Sequence, residues 1–404
     1  MTTISEPPLD VFDAGGRGLQ HHGLRRANER AVLTLIGFNN GLSNADIARL
    51  SGLAPQTVSA ILADIETAGL IERGPVLRGR RGQPATPIFL RAEGAFSIGV
   101  EIGWCHAEVI LLDLGANVRA RRRWRYDFPD ASSIVTDIVV AIADLIGTLG
   151  HAQRERIRGI GVALPANIAA NLYLFDVPEE QHALWASLDI ANDLARRSGF
   201  EVSLFNDGNA ACWAELNAFT RPRPSNFIYF LISRSIAAGI VGEGMLWEGP
   251  SGNSANLGSM LVRHGDGPLQ PVHSIASVVA LEKRLQDAGF AVASGQFENW
   301  DLASFEPVLS EWINDSANIL ARVIFNTGTV IETGLVVLDT VLPQTIGVRL
   351  VAQVEAELGR LPVPAFAPPE ILPGHLGALA PAMGAAELTL YRRFFSRTLA
   401  DLVG

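Results

Sequence analysis

The sequence predicts an α/β protein headed by a winged helix-turn-helix, and three observations carry that reading. The chain has 404 residues, 48% of them apolar and 18% charged, too many for one ordinary core and too apolar for global disorder. Residues 24–65 repeat apolar side chains at helical spacing and lead into a short arginine-tipped ribbon. Beyond Arg91 short apolar runs alternate with helical periodicity, the pattern of an α/β body long enough for two lobes.

Composition excludes several classes. The length rules out a single small binding module. Cys105 and Cys212 are the only cysteines, too few for a disulfide scaffold or a thiolate zinc cage and compatible with a reducing cytosol. No stretch offers the roughly 18 unbroken apolar residues of a membrane span, and the acidic start MTTISEPPLDVFDAGG lacks the basic and apolar regions of a signal peptide. A cytoplasmic protein with a disordered leader over 1–16 is expected. Lys283 is the only lysine, so nearly all positive charge is arginine. Residues 17–91 hold ten arginines against five acids, a balance of +5 in a chain of net −10, which leaves −15 for the rest. A basic segment joined to an acidic body suits a polyanionic partner for the first part alone.

The elements follow in order. From Leu24, the stripe Ala31, Val32, Leu35 and Ile36 makes a helix that stops near Asn39-Asn40-Gly41. Ser43, three residues before Asp46, forms a capping box for a second helix with Ile47, Ala48 and Leu50 on its apolar face. Gly52 ends that helix, and Pro55 suits the first turn of a third, where its missing N–H costs nothing. Val58, Ile61, Leu62 and Ile65 face inward there, while Gln56, Thr57, Ser59, Ala60 and Ala63 face outward. Small, hydrogen-bonding side chains on that face leave room to enter a major groove. Val76-Leu77 and Ile88–Leu90 flank the wing tip Gly79-Arg80-Arg81-Gly82-Gln83-Pro84. Residues 17–91 therefore read as a DNA-binding domain, with Gln56, Thr57 and Ser59 on the reading helix and Arg80, Arg81 and Gln83 in the wing as candidate contacts. A small helical subdomain that contacts only proteins is the competing reading.

In the body, residues 92–404, strands are expected at 96–102, 107–112 and 118–124, a helix at 134–149, and strands at 160–164 and 201–204. The last leads into Asn206-Asp207-Gly208-Asn209 and a helix to about Ala218. A second hairpin covers 227–232 and 238–241, followed by helices at 274–288, 303–326, 345–358 and 376–395 with short strands at 334–338 and 370–372. Two hairpins, each near the start of a lobe, suggest a duplicated architecture.

The segments GIGVALP (159–165), VSLFNDGNAACWAE (202–215), IAAGIVGEGMLWEG (236–249), GNSANLGSM (252–260) and ILPGHLGALAPAMGAAEL (371–388) behind a winged helix resemble the ROK family of bacterial repressors and sugar kinases. The resemblance runs from about residue 20 to the end. It implies a body of the actin/hexokinase type, two RNase H-like lobes around a cleft that receives a sugar. The family's kinases carry Asp-x-Gly-Gly-Thr on the first hairpin and a glycine-rich loop on the second, because backbone N–H groups must reach the nucleotide phosphates. This chain has Glu101-Ile102-Gly103-Trp104-Cys105 and Ser233-Arg234-Ser235-Ile236-Ala237-Ala238-Gly239 at those places. Asp207 aligns with the family's catalytic base, and the resemblance casts Asn206 and Asp207 as effector contacts. Asn256 stands where the family has a sugar-binding carboxylate and Ser259 where it has a zinc histidine; the cysteine-rich zinc loop aligns with cysteine-free residues 267–279. The family's terminal sugar-contacting glutamate falls at Val279, unless a one-turn shift recruits Glu282. His264 and His273 read as surface or packing residues, and Arg234 as half of a surface salt bridge, with contact to an anionic effector as its alternative.

The expected protein is a DNA-binding regulator, a repressor of carbohydrate-utilisation genes, whose body binds a sugar-like effector at Asn206, Asp207 and Asn256 without phosphorylating it. It has double-stranded operator DNA as partner, no cofactor or metal, no catalytic residue, and a homodimer or higher homo-oligomer as its working form. The alternative is an ATP-dependent sugar kinase with an appended DNA-binding head.

Overall fold

The computed structural model describes residues 21–39, 41–76, 86–172, 177–293, 295–297, 300–362 and 367–396. The expected leader and the wing residues Arg80, Arg81 and Gln83 lie outside them. The chain divides into two compact units. One comprises the described residues up to Arg91 together with Phe394–Ser396, and the other is Ala92–Arg393.

The first unit is built from α1 (His21–Phe38), α2 (Asn44–Ser51), α3 (Pro55–Thr67) and an antiparallel pair, β1 (Ile71–Arg73) with β2 (Ile88–Leu90). Its starts and stops are those the local chemistry demands. Ser43 Oγ accepts from the Asp46 amide at 3.2 Å and the Ser43 amide donates to Asp46 Oδ2 at 3.2 Å. Gly52 closes α2 at φ +68°, in the left-handed region open to glycine, and Pro55 opens α3. Val32, Ile36, Ile47, Val58, Leu62 and Ile88 form the dry centre. The last described residues belong to this unit. Phe395 meets Phe38 edge to face at 6.3 Å, and the Ser396 amide donates to Thr34 Oγ1 at 2.9 Å.

The second unit runs β3 (Phe96–Ile102), β4 (His106–Asp113), β5 (Val118–Arg125), α4 (Ile134–Gly147), α5 (His151–Arg154), β6 (Ile157–Leu164), α6 (Ile168–Asn171), α7 (Glu180–Ser187), α8 (Ile190–Ser198), β7 (Val202–Asn206) and α9 (Asp207–Ala218). It continues with β8 (Phe227–Ile232), β9 (Ile236–Gly242), β10 (Met245–Leu246), β11 (Leu261–Arg263), β12 (Leu269–Pro271), α10 (His273–Ala276) and α11 (Val278–Asp287). It ends with α12 (Val308–Ile331), β13 (Leu335–Thr340), α13 (Gln344–Leu358), β14 (Glu370–Pro373) and α14 (Ala380–Phe394).

Two five-stranded sheets repeat one topology. The order β5-β4-β3-β6-β7 pairs an antiparallel meander with two parallel strands, and β10-β9-β8-β13-β14 does the same. This is the duplication that the paired hairpins suggest. α14 passes across the first sheet and α9 at close range. A Cβ on Gly99 would meet Ala382, one on Gly161 would meet Ala385, and one on Gly384 would enter the backbone of Ala210. Each lobe has its own core: Phe96, Ile98, Ile138 and Ile160 in the first, and Phe230, Leu281, Trp312 and Val336 in the second.

The expected helix over 274–288 is two helices, because Ser277 stops α10 and caps α11, its hydroxyl accepting from the Ala280 amide at 3.2 Å. The expected helix over 303–326 is a 3-10 turn at Leu302–Phe305 and then α12, which reaches Ile331. α7 and α8 fall in a stretch without a sequence expectation. α7 is almost evenly polar around its circumference and carries no strong stripe to read.

Candidate functional site

The site is a cavity of about 360 Å³ between the two lobes of the second unit, lined by residues including Trp104, Asn206, Asp207, Arg234, Asn256 and Lys283. Each wall has a local cause. β7 ends at Asn206, whose side chain caps α9 by accepting from the Asn209 amide at 3.1 Å. That turn sets Asp207 on the first residue of α9, facing the cavity. Gly208 follows because a Cβ there would collide with the Ala238 backbone, so α9 can lie directly against β9. Asn209 reaches the other way and donates to the Gly252 carbonyl at 2.9 Å, fixing the 249–253 loop. Gly208 and Asn209 therefore serve the turn and its surroundings, and Asn206 and Asp207 meet the cavity.

Asp207 Oδ1 accepts from the Gly208 amide at 2.8 Å. Loss of water around the carboxyl and the nearby charge of Glu101 push its pKa up to about 6, against the partial relief of that amide bond. Glu101 is itself paired. His106 Nε2 lies 3.2 Å from Glu101 Oε2; burial opposes charging the ring, but Glu101 outweighs it and raises His106 to about 9.

The two hairpin turns meet across the cleft. Trp104, 8% exposed, donates its indole N–H to Ser235 Oγ at 3.3 Å. Arg234 lies 3.4 Å from Glu282 Oε2, with the two side chains 12% and 7% exposed. This corrects the expected surface salt bridge: the pair is buried, because α11 brings Glu282 up under the 233–235 turn. Glu282 is thus a partner for Arg234, while Val279 lines the cavity. Asn256 lines it from the 255–259 segment and accepts from Ser259 Oγ at 3.1 Å.

Asn206, Asp207 and Asn256 thus share one cavity. His273, expected as a surface or packing residue, lines it as well, and partial burial lowers its pKa. His264 donates from Nε2 to Asp315 Oδ1 at 2.9 Å. No group of three or more His, Cys, Asp or Glu suited to a metal occurs among the described residues. Lys283 was open to notice from sequence as the lone lysine, but nothing in its local pattern connects it to Asp207, 76 positions earlier in the chain.

On the first unit, Gln56, Thr57 and Ser59 lie together on the exposed face of α3. Ser59 Oγ is already engaged, donating to the Pro55 carbonyl at 2.9 Å and accepting from Asn44 Nδ2 at 3.0 Å. Gln56 and Thr57 are likewise exposed at the start of α3. No helix among the described residues is long and apolar enough to cross a membrane.

The comparisons agree with this architecture. A MarR family model matches residues 22–82, and a ROK family model matches 97–392. The xylose repressor of Bacillus spizizenii is 24% identical over 388 residues, covering 91% of this chain and 96% of that protein. A crystal structure of a ROK family transcriptional regulator, a homologue of the E. coli MLC protein, superposes with a TM-score of 0.69 at 19% identity, covering 94% of this chain and 99% of that one. A ROK family glucokinase from Streptomyces griseus, solved with glucose and AMPPNP, matches the fold at a TM-score of 0.57 and 19% identity, covering 73% of this chain and 99% of that one. With its family model spanning 97–392, well over half the chain, this protein belongs to the ROK family.

Proposed function

We propose that the protein is a DNA-binding transcriptional regulator, a repressor of carbohydrate-utilisation genes, whose kinase-like body senses a sugar-derived effector without phosphorylating it. The observation that carries this reading is Trp104 on Ser235. A kinase of this fold needs open turns whose amides approach nucleotide phosphates. Here an indole bridges the two turns, and Arg234 behind it is committed to Glu282. Xylose repressors and a ROK transcriptional regulator among the similar proteins support the same reading.

Asn206, Asp207 and Asn256 hold the effector's hydroxyls. Gln56, Thr57 and Ser59 enter the major groove, while Arg80, Arg81 and Gln83 reach phosphate or the minor groove. The working form is a cytoplasmic homodimer, which matches a palindromic operator. An effector shifts DNA binding only through its different affinity for the two lobe arrangements. Retention of Asp207 favours a second reading, a sugar kinase with a DNA-binding head. Operator-binding titrations and ADP release, both run across one sugar panel, separate the two. Effector-dependent operator binding without ADP production is expected, and sugar-dependent ADP production that disappears in Asp207→Asn overturns the non-catalytic reading.

A further inference from the structure

We propose that the effector is an anionic carbohydrate, a sugar phosphate or sugar carboxylate, whose hydroxyls meet Asn206 and Asp207 and whose anionic group meets Lys283 on the opposite wall. This rests on the reading of the cleft as the effector site.

The first observation is where the chain places its single lysine. Of 32 basic residues 31 are arginine, and the exception lines the cavity between the lobes. The second is what surrounds it. The basic neighbours in space and sequence are tied to carboxylates, Arg234 to Glu282 at 3.4 Å and Arg284 to Asp315 at 2.8 Å. Lys283 makes no ion pair with any described residue. An ammonium at a concave wall offers three donors and a full charge to whatever enters.

The third observation is the separation of charge across the cavity. Asp207, the carboxylate among the lining residues, stands on α9 at the end of the first lobe. Lys283 and Arg234 belong to the second lobe, on α11 and at the β8–β9 turn. Asn256, Ser259 and Val279, which line the same cavity, are uncharged. A ligand bearing hydroxyls at one end and a negative charge at the other matches this polarity. A ligand with its charge beside Asp207 meets repulsion instead. The first turn of α11, with Val279 and Ala280 at the wall and no acidic residue, adds the positive end of a helix on the Lys283 side. The volume of about 360 Å³ lies near the lower end of small-molecule sites, which run from about 300 to 1,000 Å³, and fits one sugar ring with its substituent.

The test uses the purified full-length protein and matched sets of ligands: glucose, glucose 6-phosphate and glucuronate; xylose, xylose 5-phosphate and xylonate; and inorganic phosphate alone. Calorimetric titration of each gives affinity, and repetition at raised salt gives its ionic component. The expected result is an anionic member binding at least about tenfold tighter than its neutral parent, with affinity falling as salt rises. Lys283→Met should erase that preference and Lys283→Arg should keep part of it, while the ligand-free melting curves confirm folding. A tighter phosphate or a tighter carboxylate identifies the source of the charge. Neutral sugars that bind as well as their anionic partners, unaffected by Lys283→Met, overturn the proposal and leave the effector cleft standing. Inorganic phosphate that binds as tightly as the sugar phosphates overturns the carbohydrate part. Absence of saturable binding by every sugar overturns the reading of the cleft itself, and the proposal with it.

Discussion

Asp207 illustrates a residue held against its own solvation. Its pKa of about 6 means that the fold disfavours the ionised form, so the stability it contributes is full below its ordinary value near 4 and is lost as pH rises through about 6. Asp207→Asn should therefore raise the melting temperature at pH 7, by a stability gain of no more than about 3 kcal/mol. The same change replaces a charged acceptor with a neutral one, so the effector concentration needed to shift operator binding should rise about tenfold. In the wild type effector affinity should weaken below about pH 6, as the carboxyl beside Glu101 protonates in a cavity shared with His273 and Lys283. A flat affinity profile from pH 5 to 8 would place Asp207 outside ligand contact. His106 gives a slope of the same sign at higher pH, with the charged form of the ring now the favoured one. Raised to about 9 beside Glu101, it gives stability that is whole below about pH 6.5 and is lost as pH rises through 9. Thermal melts of wild type and His106→Asn across pH 6 to 9.5 should show that slope in the first and not in the second.

At the scale of elements, α3 and α14 depend on different kinds of residue. The exposed start of α3 should lose about 1–3 kcal/mol of operator affinity on Gln56→Ala, with less loss on unrelated DNA. Equal losses on both would show that α3 does not read sequence. Ser59→Ala should cost less specificity than Gln56→Ala, since the Ser59 hydroxyl already serves Pro55 and Asn44. α14 lies so close to its neighbours that side chains cannot intervene. Gly384→Ala should destabilise the body by roughly 1–3 kcal/mol or more, because a methyl group there overlaps the Ala210 backbone rather than a flexible side chain. Denaturant titration reads this directly, and an unchanged midpoint would mean that α14 stands farther from α9.

For the whole molecule, the unit that carries α3 also includes residues from the far end of the chain. Phe395, 9% exposed, packs on Phe38 and fills the space left by Gly37. Phe395→Ala in the full chain should loosen that unit by about 3–5 kcal/mol and weaken operator binding. Effector binding measured by calorimetry should stay unchanged. A variant with normal DNA affinity would show that the contact is not needed for the reading head.

What lies within a few turns of chain was legible in the residues. The helix cap at Ser43, the stop at Gly52, the periodic face of α3 and the hairpins of both sheets all follow from neighbouring residues, and the family motifs placed Asn206 and Asp207 at a turn. Tertiary structure alone decided which distant residues share a space. The burial of Arg234 against Glu282, the hydrogen bond from Trp104 to Ser235 and the return of Phe395 to Phe38 join positions up to hundreds of residues apart. The physical reason is that a periodic pattern records which face of an element is buried, and carries nothing about which other element will cover it.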